Sequence, residues 1–314
     1  MGASGGPKIV RDSLKLLLDG RDEGLRGGKS VLTDGSGNSN SGSMYTGTCI
    51  NLDGGSDYIN SNATFQSTFR DSWSWECWIK PSDGQDPAGP DLMGSRNSTY
   101  HDWAHVELYS DGTIAMYYAS DGDGKYARTS AVIFTDGVND WHHIVAVADN
   151  TASQMYIYVN GIVQDLKTGD WNGDMSGITM ADFTTPDYLY IGARNKFTSA
   201  GAEEHFNGKM SNCKLFSTAL SAANVLELYN NSNKVVPSGV SSSKLAGWWP
   251  LSEGSGTIAY DGSGNGNHGT LVNGISYETA HRDIPQLAGK GLSQKAVFDE
   301  TNDYVDNGLS LIHI

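Results

Sequence analysis

Oxygen donors at alternating positions are the first chemistry this sequence offers. Asp34, Asn38 and Asn40 in Asp34-Gly35-Ser36-Gly37-Asn38-Ser39-Asn40 return as Asp261, Asn265 and Asn267 in Asp261-Gly262-Ser263-Gly264-Asn265-Gly266-Asn267. Carboxylate and amide oxygens on a glycine-rich loop suit a hard divalent cation, so structural Ca2+ is one expectation. The other is a plain turn, in which Asp and Asn bond nearby backbone groups and tolerate left-handed dihedrals. The sequence leaves both open. Asp121-Gly122-Asp123-Gly124 is a further acidic loop, expected to be a solvated hairpin end.

A second set of residues could meet a sugar. Tyr100, Trp103, Trp171 and Phe197 fall in loops, with Asp102, Asn172 and Arg194 beside them. Aromatic faces with a few directed polar groups are the chemistry of a carbohydrate site. Hydrolysis would need more, namely two carboxyl groups flanking one glycosidic bond. The strand acids Glu76 and Glu107 stand alone in the sequence, and His142-His143 lacks the partners of a Ser-His-Asp site. No enzymatic activity is expected.

The elements that must position these groups read almost entirely as strands. Trp73–Lys80, His105–Tyr109, Ile114–Tyr118, Trp141–Ala148, Gln154–Val159, Tyr188–Gly192 and Gly208–Phe216 are short, aromatic or β-branched, and bounded by turn residues. Asp111-Gly112 and Asn160-Gly161 are hairpin signals. Ser221–Tyr229 reads as a helix with Ser221 as N-cap and Val225, Leu226, Leu228 and Tyr229 on its apolar side. Strands at this spacing predict an all-β antiparallel sandwich of jelly-roll type, with ligands met at the rim loops.

The chain also carries a duplication. Each copy of the heptapeptide follows an apolar run, Leu14–Leu18 or Leu245–Leu251, and precedes an Asp-Tyr strand at Asp57-Tyr58 or Asp303-Tyr304. The spacing from first Asp to second is 23 residues in one copy and 42 in the other. A shared order at unequal spacing implies a repeated domain, and excludes a solenoid of fixed period. The expected layout is an arm over 1–11, a sandwich over 12–231, a linker over 232–243, and the opening of a second, truncated sandwich over 244–308. Residues 309–314 match a translated sequencing-library adaptor and are expected to be foreign to the fold.

Composition narrows the partners. With 21 Lys and Arg against 36 Asp and Glu, the net charge of −15 argues against nucleic acid. No run is long and apolar enough to insert in a membrane, and the opening lacks the layout of a secretory signal. Cys49, Cys77 and Cys213 have no metal-ligand spacing and are expected as buried thiols.

Taken together, Ser74–Pro81, Trp141–Asp149, Met155–Gly161, Tyr188–Arg194 and Phe206–Asn230 resemble the laminin-G-like jelly roll of the concanavalin A-like lectin/glucanase superfamily. Residues 244–308 are similar to the opening third of that domain. The resemblance implies a glycan-binding or adhesive module, or an architectural one. The Glu-x-Asp-x-Glu strand of the superfamily's retaining glucanases is missing here. Residues 5–22 are also similar to the openings of such domains in tailed-phage structural proteins. That implies a virion setting among other virion proteins, with an extracellular or cell-surface adhesin, or an accessory region of a polysaccharide-degrading enzyme, as the alternatives.

Overall fold

The computed structural model describes residues 48–97, 102–137, 140–184, 186–196, 201–232 and 234–279, and the short strand pairs 31–32/42–43 and 304–306/311–313. In chain order the first strands are β1 (Val31–Leu32), β2 (Gly42–Ser43), β3 (Thr48–Asp53), β4 (Tyr58–Asn60), β5 (Trp73–Pro81), β6 (Asp91–Arg96), β7 (Trp103–Leu108) and β8 (Ile114–Ser120). Next come β9 (Asp123–Arg128), β10 (His142–Asp149), β11 (Gln154–Val159), β12 (Ile162–Val163), β13 (Tyr190–Ile191), β14 (Arg194–Asn195), β15 (Ala202–Glu203) and β16 (Asn207–Phe216). The last are β17 (Leu245–Trp249), β18 (Ile258–Ala259), β19 (Gly269–Val272), β20 (Ser276–Thr279), β21 (Tyr304–Asp306) and β22 (Leu311–His313). Helix α1 spans Gln66–Phe69 and α2 spans Ala222–Asn230.

Two antiparallel sheets face each other. One runs β12-β11-β10-β5-β16-β3-β20 with β17 also on β16; the other runs β18-β19-β4-β13-β6-β7-β8-β9. Period-two alternation decides which side chains lie between them. From β5 come Trp73, Trp75, Cys77 and Ile79; from β10, Ile144, Ala146 and Ala148; from β7, Ala104, Val106 and Leu108. This is the sandwich jelly roll expected from the sequence. The hairpin signals also hold: Leu108 pairs with Ile114 across Tyr109–Thr113, and Val159 pairs with Ile162. Asn160 and Gly161 both take positive φ, 51° and 81°, as a two-residue primed turn requires.

The outer face of the first sheet is covered. Helix α2 starts at a capping box in which the Ser221 side chain accepts from the Asn224 backbone N–H. It buries Val225 and Leu228 against Val145, Val147 and Phe216, while Leu226, expected on the apolar side, is exposed. The three cysteines are buried free thiols.

Residues 245–279, expected to open a second sandwich, supply four strands to these same two sheets. β17 pairs with β16, β19 with β4, and β20 with β3. Trp249, Leu251, Ala259, Leu271 and Ile275 lie in the main core, and the Trp249 ring meets Phe65 edge-on at 5.8 Å.

Candidate functional site

Alternation that fills the core from one side of β7 and β8 also builds the opposite face. Trp103, His105 and Glu107 of β7, and Ala115, Tyr117 and Ala119 of β8, point away from the core. Tyr126 and Arg128 of β9 join them. The register sets His105 against Tyr117 and Tyr117 against Tyr126, so three rings cross the sheet in a row. His105 stacks on Tyr117 at 4.2 Å, and Tyr117 meets Tyr126 edge-on at 5.3 Å. Trp171, in the 3-10 turn Gly169–Trp171, closes over the end of the row, 5.3 Å from Tyr126, 5.6 Å from Tyr117 and 6.0 Å from Tyr109. Arg128 lies over the Tyr109 ring at 3.5 Å.

Between the rings is an open hollow of about 340 Å³, lined by Arg96, Trp103, His105, Glu107, Tyr117 and Arg194 among others. Small residues make room for it. Gly94 is the clearest case, because a Cβ there would sit 2.4 Å from the Cβ of Arg194. Only glycine lets Arg194 of β14 lie across β6.

Arg194 organises the charge. Its Nη1 is 2.9 Å from Asp91 Oδ2 and 3.7 Å from Glu107 Oε2; Nη2 is 3.3 Å from Glu204 and Nε 3.4 Å from Glu203. Asp91 Oδ1 lies 2.8 Å from His105 Nδ1. Arg96 bonds Glu203 at 2.9 Å and sits 5.1 Å over the Trp103 ring. Burial, with the neighbouring Asp91 charge, pushes the Glu107 carboxyl up to about 8. Burial raises Asp91 to about 7 although Arg194 opposes it. Burial and the Arg194 charge hold His105 well below the usual imidazole range, so the ring is neutral. Against the cost of burial, Asp91 and Glu204 keep Arg194 firmly charged. At neutral pH the site therefore presents a protonated carboxyl, a neutral imidazole, two guanidinium groups and several aromatic faces.

Asp91, His105 and Glu107 offer ligand atoms within 4.8 Å of one another, a spacing that could hold a metal ion. The Arg194 guanidinium already lies against both carboxyl groups, so a second cation there would be repelled. The Asp261 loop fits a turn better than a calcium site. Asp261 Oδ1 accepts from the backbone N–H of Trp248 and Ser263, and Oδ2 from the Ser263 hydroxyl and the Asn267 N–H. The Asn265 and Asn267 amides donate to carbonyls of β17. Four donors converge on one carboxylate, leaving little oxygen capacity for an ion. Asp34, Asn38 and Asn40 lie outside the described residues.

Of the sequence-derived sugar residues, Trp103 and Arg194 line the hollow and Trp171 borders it. Asp102 does not face it: its buried carboxylate accepts from the backbone N–H of Asp121 and Thr184. Asn172 is turned to its own loop, accepting from the Asp174 N–H. Tyr100 and Phe197 lie outside the described residues. Glu76 and Glu107, alone along their own strands, find partners from other elements: Glu107 joins Asp91 and Arg194, and Glu76 joins Lys214 and His143. The residues passed over were Asp91, Arg96, His105, Tyr109, Tyr117 and Tyr126. For His105 and Tyr109 the signal was the alternation Trp103-x-His105-x-Glu107-x-Tyr109, which reads as the outward face of a strand; Asp91, Arg96, Tyr117 and Tyr126 join them from neighbouring strands. The site thus sits on a sheet face, away from the rim where it was sought.

A family profile of laminin G type, described as the concanavalin A-like lectin/glucanases superfamily, matches residues 53–226. Similar solved structures include a protein from Bacteroides ovatus solved as a carbohydrate-binding candidate, at 20% identity and TM-score 0.49 over 74% of this chain and 60% of that one. This chain thus spans less than two thirds of that protein's length. Another is a heptameric SAP-like pentraxin from Limulus polyphemus, at 14% identity and TM-score 0.46 over 75% of this chain and 96% of that one. A third is the CBM40 of a Ruminococcus gnavus IT-sialidase bound to α2,3-sialyllactose, at 15% identity and TM-score 0.46 over 58% of this chain and 96% of that one. No curated protein sequence matches this one.

Proposed function

Because the chain belongs to the laminin G family of the concanavalin A-like lectin/glucanases superfamily, we propose that it is a non-catalytic glycan-binding module. The observation that carries this reading is the hollow on the outer face of β6–β9. Rings of Trp103, Tyr109, Tyr117, Tyr126 and Trp171 surround Arg96, Glu107 and Arg194 within a volume of about 340 Å³. Pyranose rings bury their C–H faces on aromatic side chains and their hydroxyls bond to charged groups fixed in place, which this wall supplies. Glu107, as the protonated acid, can donate to a sugar oxygen.

Hydrolysis is disfavoured by the same geometry. Among the described residues lining the hollow Glu107 is the one carboxyl group, and Asp91 is buried behind it, pinned by Arg194 and His105. A glycosidase needs its two carboxyl groups on opposite sides of the scissile bond.

The setting we favour is a phage virion, supported by the opening resemblance over residues 5–22. A many-copy particle would gain avidity from a weak single site. An exported adhesin or an accessory region of a larger enzyme is the alternative, and neighbouring capsid and tail genes distinguish them. Partners are then host or environmental glycans and other virion proteins, without nucleic acid. Among the described residues no helix is long and apolar enough to cross a membrane.

A glycan array followed by calorimetry tests the reading. The intact chain should bind a glycan that Tyr126→Ala and Trp171→Ala lose at unchanged fold. Binding that survives both substitutions removes the hollow as the site.

A further inference from the structure

The rim of the sandwich, where no sequence-derived sugar residue gathered, carries a larger hollow that owes nothing to the reading of the sheet face. It lies over strand ends: β4 stops at Asn60, β13 starts at Tyr190, β16 stops at Phe216 and β17 starts at Leu245. Its volume is about 870 Å³, and Asn62, Thr64, Ser67, Tyr188, Asn265 and Asn267 are among the residues that line it. Thr64 and Tyr188 also line an adjoining hollow of about 220 Å³.

The larger hollow is a seam. One wall, Asn62 to Asp71, falls inside the family match at 53–226; another, Ser243 to Asn267, falls beyond it. Side-chain amides lock the two together. Asn62 Nδ2 donates to the His268 carbonyl at 3.0 Å and to Thr270 Oγ1 at 3.1 Å. Asn265 Nδ2 donates to the Leu245 carbonyl at 2.9 Å, and Asn267 Nδ2 to the Ala246 carbonyl at 3.1 Å. One carbonyl oxygen cannot bond another, so these contacts fix which way each amide points. Each amide keeps its own oxygen as an acceptor on the wall. The first wall also holds two residues with left-handed backbone, Asn62 at φ 57° and Phe65 at φ 52°. Strain of this kind persists only where the surroundings impose it, and it gathers at binding sites. Here the edge-on contact of Phe65 with Trp249, from beyond the family match, imposes it.

Tyr188 is 48% exposed, yet its backbone is held on both sides. The Leu189 N–H donates to the Ala63 carbonyl at 2.9 Å, the Ser61 N–H to the Leu189 carbonyl at 3.0 Å, and Ser95 Oγ to the Asp187 carbonyl at 2.8 Å. An open aromatic face on a fixed backbone is a platform for stacking. The charged groups on the walls are Lys244 and Asp71, opposite in sign; the other polar side chains are amides and hydroxyls.

We propose that this seam is a second glycan site, separate from the sheet-face hollow, and that it takes an uncharged oligosaccharide without a metal ion. Sugar hydroxyls donate to the amide oxygens of Asn62, Asn265 and Asn267, and one pyranose face stacks on Tyr188. The volume is at the upper end of the range for ligand pockets, roughly 300–1,000 Å³, and suits several linked rings. Residues 243–267 thus do more than close the sandwich: they complete a site that the family match alone would leave half built.

The test uses the intact chain carrying Tyr126→Ala and Trp171→Ala, which removes the rings of the sheet-face hollow. Calorimetry is run with neutral hexasaccharides of glucose, mannose, galactose and xylose, and with hexagalacturonate as the anionic control. At least one neutral hexasaccharide should bind, and hexagalacturonate at least tenfold more weakly. Adding Tyr188→Ala, or Ser67→Trp to fill the hollow, should cut that affinity tenfold or more at unchanged fold, whereas EDTA should leave it unchanged. The proposal is overturned if no neutral hexasaccharide binds, if hexagalacturonate binds as well, if both added substitutions leave affinity as it was, or if EDTA abolishes binding. Failure of the sheet-face reading is distinguishable, because Tyr126→Ala and Trp171→Ala would then alter no glycan affinity of the unsubstituted chain.

Discussion

Two charge clusters built from the same residue types lie on the outer faces of the two sheets, and their fates are opposite. On the first sheet, Lys214 Nζ lies 3.0 and 3.1 Å from the two Glu76 oxygens, and His143 Nε2 lies 3.2 Å from one of them. All three side chains are fully buried. Helix α2 seals them, with Tyr229 stacked on Trp78 and the Lys234 carbonyl accepting from Lys214. On the second sheet, His105, Glu107 and Arg194 face an open hollow, with Asp91 buried behind them against Arg194 and His105. Burial would push Glu76 up, but Lys214 and His143 more than offset it and hold the carboxyl below its usual range. In the open cluster acids outnumber cations, and burial lifts both Asp91 and Glu107. The sealed cluster is a satisfied ion pair; the open one keeps a proton and hydrogen-bonding capacity for a ligand. What distinguishes them is the element that covers the sheet.

The strongest way to break this contrast is to unbalance the sealed cluster. Lys214→Met leaves Glu76 buried with His143 as its remaining partner, and should cost ~3–5 kcal/mol in urea unfolding. Removing both charges, as in Glu76→Leu with Lys214→Met, should recover most of that loss. A single substitution costing under ~1 kcal/mol would mean that the pair is not sealed.

The open cluster should respond in binding more than in folding. Tyr126→Ala and Trp171→Ala should each weaken glycan affinity tenfold or more, about 1.4 kcal/mol, with a smaller change in unfolding free energy. If stability falls and affinity does not, these rings are packing alone.

Acidity should separate the clusters by sign. The Glu107 pKa is raised in the fold, to about 8, so the native state holds a proton that the unfolded chain releases near the ordinary carboxylate value. That contribution to stability is complete below the unfolded pKa and is lost as pH rises toward 8. Glu76 is lowered, so its contribution is present above the unfolded pKa and is lost as pH falls through the folded one. Unfolding free energies from pH 4 to 9 should lose part of their downward alkaline slope in Glu107→Gln, with Asp91 supplying the rest, and keep it in Glu76→Gln.

The smallest effect concerns the seal. Ser221→Ala removes the cap of α2 and should cost about 1 kcal/mol, with faster hydrogen exchange over β10 and β5 and no change in glycan affinity. Loss of affinity on this substitution would couple the two faces.

Much of the fold was legible because its signals are local. Asn160-Gly161 specified its turn, Trp73 to Ile79 alternated as a core strand must, and Ser221 marked the helix start. The site was legible only in part. Trp103, Trp171 and Arg194 were identified by type, but Asp102 and Asn172, beside them in sequence, turn to loop amides instead. Glu107 stands alone on its strand because its partners Asp91 and Arg194 arrive from strands β6 and β14.

Sequence by itself determined that this is an antiparallel sandwich, where three of its hairpins turn, and which side chains of each strand share a face. Those properties have a period of two or a span of four residues and need no knowledge of neighbours. Tertiary structure alone decided which sheet face a helix would cover, which charges would meet across it, and that residues 245–279 would close the sandwich begun at residue 48. Each depends on strand order, and strand order is set by packing between segments hundreds of residues apart.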